Sequence, residues 1–160
     1  MKTSIAKTIA TAFGAGFSPF APGTMGALVG ILIWWLIRFP FASAGGAYFF
    51  PFMLIITIVV FFLGVWASNV MEPEWGHDPG KIVVDEVIGQ WIALLWIPFT
   101  VPNIILAFAL FRFFDILKPL LIRKMEALPS GWGVMGDDVL AGIYANIVLQ
   151  IILWSGLLPF

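Results

Sequence analysis

Five carboxylates carry most of the chemistry this chain can offer: Asp85 with Glu86, Asp115, and Asp137 with Asp138. Each group stands at or just inside the end of a long apolar segment. A carboxylate at membrane depth costs about 2.5–3.5 kcal/mol on insertion scales. These five are most of the nine acidic residues, so a shared neutralising device is called for. The simplest is a divalent cation, which takes oxygen ligands and cancels their repulsion.

Each constellation also has a plainer explanation. In Val-Val-Asp-Glu-Val-Ile-Gly-Gln, Asp85 and Glu86 lie about 100° apart on a helix; as first-turn charges they would gain only tenths of a kcal/mol to about 1 kcal/mol from the macrodipole. Arg112, Asp115 and Lys118 recur every three residues and share a helix face. That stripe could hold a metal through Asp115 and a phosphate through Arg112 or Lys118. It could equally be an internal ion pair with snorkelling cations. Gly-Trp-Gly-Val-Met-Gly-Asp-Asp-Val-Leu-Ala-Gly reads as the opening of the last helix, where Asp137 could act as an N-cap. Capping needs one Asp, and here there are two. Ser18 and Thr24, in Ser-Pro-Phe-Ala-Pro-Gly-Thr-Met-Gly, could cradle a phosphate with the glycine amides at a helix start, or form an ordinary proline-rich turn. His77 and Lys81 fall in a short loop that could meet a headgroup or be an ordinary polar turn.

The elements that must position these residues are helices in a lipid solvent. Of 160 residues, 61% are hydrophobic and 11% charged, against about 25% charged in soluble domains. The expected fold is all-α and polytopic, one membrane-embedded domain over residues 1–160. About five transmembrane helices are expected, near 24–39, 47–71, 83–99, 102–122 and 136–158. Residues 1–17, small and weakly apolar behind Lys2 and Lys7, read as an interfacial helix rather than a cleaved signal. Pro40, Pro73, Pro79, Pro98, Pro102 and Pro129 punctuate the connections. The tryptophans suit interface belts or packing.

Composition also excludes. Net charge is −1, without the basic face that nucleic-acid binding needs. Absence of Cys removes disulfides, thiolate metal sites and thiol nucleophiles. With the N-terminus inside, Lys2, Lys7, Lys81, Lys118, Arg123 and Lys124 fall at the inner face and Arg112 leans toward it, leaving Arg38 outside. All three acidic groups then land at similar depth on that face. The cation rule did not put them there.

Taken together, the strings resemble the phosphatidylglycerophosphatase A family. They are Ser-Pro-x-x-Pro-Gly-Thr-x-Gly at 18–26, His-Asp-x-Gly at 77–80, Asp-Glu-x-x-Gly at 85–89, Phe-Arg-x-x-Asp-x-x-Lys-Pro at 111–119 and Gly-x-Met-x-Asp-Asp-x-x-Ala-Gly at 133–142. The resemblance implies a magnesium-dependent lipid phosphatase of the bacterial inner membrane, converting phosphatidylglycerophosphate to phosphatidylglycerol. Mg²⁺ favours carboxylate and water ligands and often shares them with a substrate phosphate. Asp85, Glu86, Asp115, Asp137 and Asp138 are therefore expected to hold one or two Mg²⁺ ions at the cytoplasmic face. Lys118, Arg112 and Lys81 are the candidates to neutralise the phosphomonoester, with Thr24, Ser18 and His77 as lesser ones. A cation- or proton-coupled transporter is the rival class, since intramembrane carboxylates also mark ion paths. Against it, the acids cluster near one face and no repeated halves are evident. A non-catalytic scaffold would leave the cluster unexplained. A histidine-dependent lipid phosphatase is closed off, because Trp132 follows Pro129-Ser130-Gly131 where that chemistry needs His.

Overall fold

The computed structural model describes residues 1–42, 46, 48–76 and 79–156. Among these there are seven α-helices and no strand: α1 (Lys2–Ala10), α2 (Pro22–Ala42), α3 (Phe49–Trp75), α4 (Val84–Leu94), α5 (Val101–Leu117), α6 (Ile122–Glu126) and α7 (Gly131–Trp154). A 3₁₀ turn, Ala15–Phe17, precedes α2. The all-α expectation holds. Three helices, α2, α3 and α7, are long and apolar enough to cross a membrane. The other two expected spans are shorter than their apolar runs, with 11 residues in α4 and 17 in α5.

The shortfall has local causes. Helix α4 stops at Leu94 because its last carbonyls are taken from the side. Asn146 of α7 donates through Nδ2 to the carbonyls of Ile92, Ala93 and Leu95, at 3.1, 3.2 and 2.8 Å. Gln150 orients that amide by donating to Asn146 Oδ1 at 2.6 Å. A turn at Leu95 and Trp96, the latter left-handed at φ 57°, leads the chain toward Thr100, which accepts from the Asn103 amide and opens α5, with Pro102 tolerated in the first turn. Helix α5 stops at Leu117 because Pro119 disfavours helical backbone at Lys118, which is left-handed at φ 44°. Pro40 and Pro73 do not end their helices; each lies in the last turn of α2 or α3. The N-terminal helix ends at Ala10 rather than near residue 17, and Ala6 and Ala10 are buried where α1 packs on α3.

Helix α4 is the hub, touching α2, α3, α5 and α7. Small residues allow the close crossings, as in helix pairs within membranes. A Cβ on Gly26 of α2 would stand 2.8 Å from the Val83 carbonyl oxygen, and one on Gly30 would stand 3.1 Å from that of Val87. Trp91 locks this crossing by donating through Nε1 to the Gly30 carbonyl at 2.8 Å. On the other side, a Cβ on Gly89 would lie 2.8 Å from the Asp138 carbonyl oxygen, and one on Gly142 3.0 Å from Ile92 Cβ. The tryptophans divide: Trp34 and Trp91 are buried, while Trp35, Trp66, Trp96 and Trp154 are exposed.

Candidate active site

The close α4–α7 crossing brings the two acidic pairs together. Asp85 and Glu86 are the second and third residues of α4. Asp137 and Asp138 are the seventh and eighth of α7, because that helix begins at Gly131 rather than near 136. The early start comes from α3, where Asn69 Oδ1 accepts the Gly131 amide at 2.7 Å. Asp137 is therefore not an N-cap. It and Asp138 are buried side chains inside a helix, at 5% and 3% exposure.

Helix α5 supplies the remaining charges from its C-terminal end. Arg112 bridges two carboxylates through Nη1, pairing with Glu86 Oε2 and, at 2.8 Å, with Asp115 Oδ2. Lys118 turns inward on its left-handed backbone and reaches Asp137 Oδ2 at 2.8 Å and Glu126 Oε1 at 2.9 Å. A non-glycine residue in that region costs on the order of 1–3 kcal/mol and persists where the surroundings enforce it. Here two buried-facing ion pairs do so.

These side chains line one cavity of about 270 Å³, closed on a further side by Ala21, Pro22 and Gly23 at the start of α2 and by Gly80 and Ile82. Gly23 leaves room for the Glu86–Arg112 pair. A Cβ would stand 2.8 Å from the Glu86 carboxyl carbon and 3.1 Å from Arg112 Nη1. The five carboxylates share the cavity with two cations, an excess of three negative charges when all are ionised. Burying like charges so close demands a further positive partner or protonation.

The five are not equivalent. Glu86, Asp115 and Asp138 each present an oxygen, and these atoms lie within 4.8 Å of one another. Asp138 Oδ2 is buried and has no hydrogen-bond partner among the described residues, an unfavourable state for a carboxylate oxygen unless something else binds it. Asp85 Oδ1 accepts its neighbour's amide, Glu86 N, at 2.9 Å. Asp137 Oδ1 likewise accepts Asp138 N at 3.0 Å while Oδ2 holds Lys118. The all-oxygen donor set of Glu86, Asp115 and Asp138 fits a hard divalent cation such as Mg²⁺ and offers nothing to a soft one.

Of the expected phosphate-binding residues, Arg112 and Lys118 line the cavity. Lys81 is exposed, with its ammonium 5.8 Å over the Trp75 ring. Ser18 spends its hydroxyl on Phe20, donating to that carbonyl at 2.9 Å. Thr24 is half-buried in the first turn of α2, beside the lining residues rather than among them. His77 lies outside the described residues. Sequence reasoning reached Gly23 only as one of the glycine amides of the 18–26 string and missed Glu126. Nothing in the spacing around Glu126 signalled it.

The fold and the site together define an all-helical membrane protein with a carboxylate centre suited to a metal ion and flanked by two cations. Comparison with known proteins narrows this. The family model of phosphatidylglycerophosphatase A matches residues 8–153. A protein of Bacteroides thetaiotaomicron named "Putative phosphatidylinositol-3-phosphatase" is 47% identical over 91% of this chain and 92% of its own length. Phosphatidylglycerophosphatase A of Haemophilus influenzae is 44% identical over 88% and 84%, and that of Escherichia coli strain K12 is 36% identical over 90% and 81%. No solved structure matches. The chain belongs to the phosphatidylglycerophosphatase A family, a family of phosphoric monoester hydrolases, as its motifs implied.

Proposed function

We propose that this protein is a magnesium-dependent phosphatidylglycerophosphatase working at the cytoplasmic face of a bacterial inner membrane. The observation that carries the reading is the Glu86–Asp115–Asp138 cluster, with its unpartnered Asp138 oxygen, set beside Arg112 and Lys118. Glu86, Asp115 and Asp138 would hold Mg²⁺, which when bound polarises the phosphoryl group and makes water a better nucleophile at neutral pH. Arg112 and Lys118 take the non-bridging phosphoryl oxygens by charge-assisted hydrogen bonds. The first-turn amides of Gly23 and Thr24, which have no partner within α2, face the same charge from the helix start. Water adds to phosphorus, the bond from phosphorus to the terminal glycerol oxygen breaks, and phosphatidylglycerol leaves as the alcohol, its oxygen gaining the proton the water gives up, with inorganic phosphate as the second product. Asp137 keeps Lys118 in place, and Asp85 braces the Glu86 amide.

The in-and-out pair expected at 83–122 takes an altered form under this reading. Helix α4 rises about 16 Å, and the four residues 97–100 beyond its closing turn add at most about 13 Å, so that together they approach a core of about 30 Å. Its irregular backbone is tolerable at that depth because Asn146 and Asn103 satisfy the carbonyls of residues 92, 93, 95 and 98. The site end also carries Lys2, Lys7, Lys81, Arg123 and Lys124, which supports placing it in the cytoplasm.

The test is phosphate release by the purified, detergent-solubilised protein from phosphatidylglycerophosphate, phosphatidylinositol 3-phosphate and phosphatidic acid, with and without Mg²⁺. The three share a lipid phosphomonoester and differ in headgroup, and the Bacteroides relative's name makes the second a necessary comparison. Mg²⁺-dependent turnover greatest on the first lipid is expected. Asp115→Asn and Asp138→Asn should each abolish both turnover and Mn²⁺ binding read by electron paramagnetic resonance. Near-normal turnover in both variants would sink the shared-site reading. The rival transporter class gains nothing from family membership.

A further inference from the structure

We propose that the cavity opens sideways into the lipid leaflet between α2 and α5, with Phe20 and Leu120 as the membrane-inserted rim of its mouth. This extends the lipid-phosphatase reading above and depends on it for the identity of what enters. Both helices line the cavity, yet they meet only marginally, with α4 as the floor between them. At each side of the gap stands a turn adjoining a lining residue. Phe20 precedes Ala21 and is 82% exposed; Leu120 follows Lys118 by two and is 81% exposed.

These are not ordinary surface turns. Turn positions favour Gly, Pro, Asn, Asp and Ser, whereas beside their prolines the segments Pro19–Ala21 and Pro119–Leu121 carry only Phe20, Ala21, Leu120 and Leu121. The hydroxyl of Ser18, the nearest polar group, is folded back onto the Phe20 carbonyl. Ala21 and Leu120 both hold left-handed backbone, at φ 42° and 55°, a conformation that side-chain-bearing residues rarely adopt. The strain turns one side chain outward on each rim. The apolar surface is also continuous with that of the helices. Met25, Leu28 and Leu32 form an exposed stripe on α2, and Phe113 and Ile116 are exposed on α5. On α2, a helix long and apolar enough to span, that stripe meets lipid, so the rim continues a hydrocarbon-facing surface. Arg123 and Lys124, exposed immediately after the second turn, mark the headgroup level just above it. A phosphate headgroup would therefore reach Arg112 and Lys118 from within the leaflet, its acyl chains staying in lipid between α2 and α5.

The chain has no cysteine, so single labels are clean. Phe20→Cys, Leu120→Cys and, as the headgroup-level reference, Lys124→Cys are labelled with bimane and reconstituted in phosphatidylcholine–phosphatidylglycerol vesicles. Labels at 20 and 120 should be quenched by nitroxide lipids and at least threefold less by aqueous iodide than the label at 124. Equal iodide quenching at all three positions overturns the proposal. In a second arm, Phe20→Ser combined with Leu120→Ser should raise KM about tenfold for phosphatidylglycerophosphate in vesicles. Its kcat/KM for a monomeric short-chain analogue should be unchanged; equal losses on both substrates would overturn the rim role. If the unaltered protein releases no phosphate from either, the phosphatase reading fails, while the quenching still decides where the mouth lies.

Discussion

A methyl group at Gly89 would push apart two of the three helices that carry the metal-ligand set. The added Cβ would lie 2.8 Å from the carbonyl oxygen of Asp138, where ordinary contact begins at 3.4 Å. It would also meet Phe111 Cζ at 2.7 Å. The phenyl ring can swing; the carbonyl is backbone of α7 and moves only with that helix. Gly89→Ala therefore separates α4 from α7 by about 0.6 Å, the gap between those two contact distances. Metal-site distances tolerate about 0.2 Å, and Mg²⁺ is strict about its octahedron. Overpacking of this kind costs about 1–3 kcal/mol of stability, while misplaced reacting groups cost up to about a hundredfold in rate. The expected outcome is a folded protein with a modestly lower Tm, a Mg²⁺ half-activation concentration raised at least tenfold and kcat reduced. Phosphate release titrated with Mg²⁺, beside thermal unfolding in detergent, reads both. A folded Gly89→Ala protein with unaltered Mg²⁺ half-activation and kcat would refute the claim that this crossing sets the site.

Asn146→Leu removes the amide that serves three carbonyls of residues 92, 93 and 95; stability should fall by about 1–3 kcal/mol, seen as a lower Tm, with kcat retained at temperatures where the protein stays folded. Lys118→Met removes the ion pairs to Asp137 and Glu126, so both Tm and turnover should drop. Adding Asp137→Asn should restore Tm without restoring turnover, a non-additive double-mutant cycle. Lys118→Arg should recover Tm in part and turnover hardly at all, since a planar fork replaces a point charge.

Charge and apolar run length made the helical class and the grouping of the acids readable from the residues alone. Side-chain caps from other helices were invisible to that reasoning. Apolar residues continue past Leu94, so the run at 83–99 looks like one span until Asn146 is known to sit beside it. In the same way Asn69, far away in sequence, draws the start of α7 back to Gly131 and turns Asp137 from a capping candidate into a buried group. The division of labour among the five acids was equally out of reach. It depends on which oxygen meets Arg112, Lys118 or a neighbouring amide, and spacing along the chain does not encode that. Gly89 was the legible exception, a residue without a side chain one turn below Asp85 where a backbone must come near.

Helix α4 is pinned to α7 twice, by the glycine crossing near its start and by Asn146 at its end. A helix held at both ends on one neighbour cannot hinge against it, so α4 and α7 behave mechanically as one strut. Glu86 and Asp138 ride on that strut, while Asp115 and Arg112 belong to α5, which is tied to it by the Arg112–Glu86 and Lys118–Asp137 ion pairs instead. The two cation-binding walls thus differ in compliance. One wall is set by backbone contact and a capping amide, the other by side-chain ion pairs.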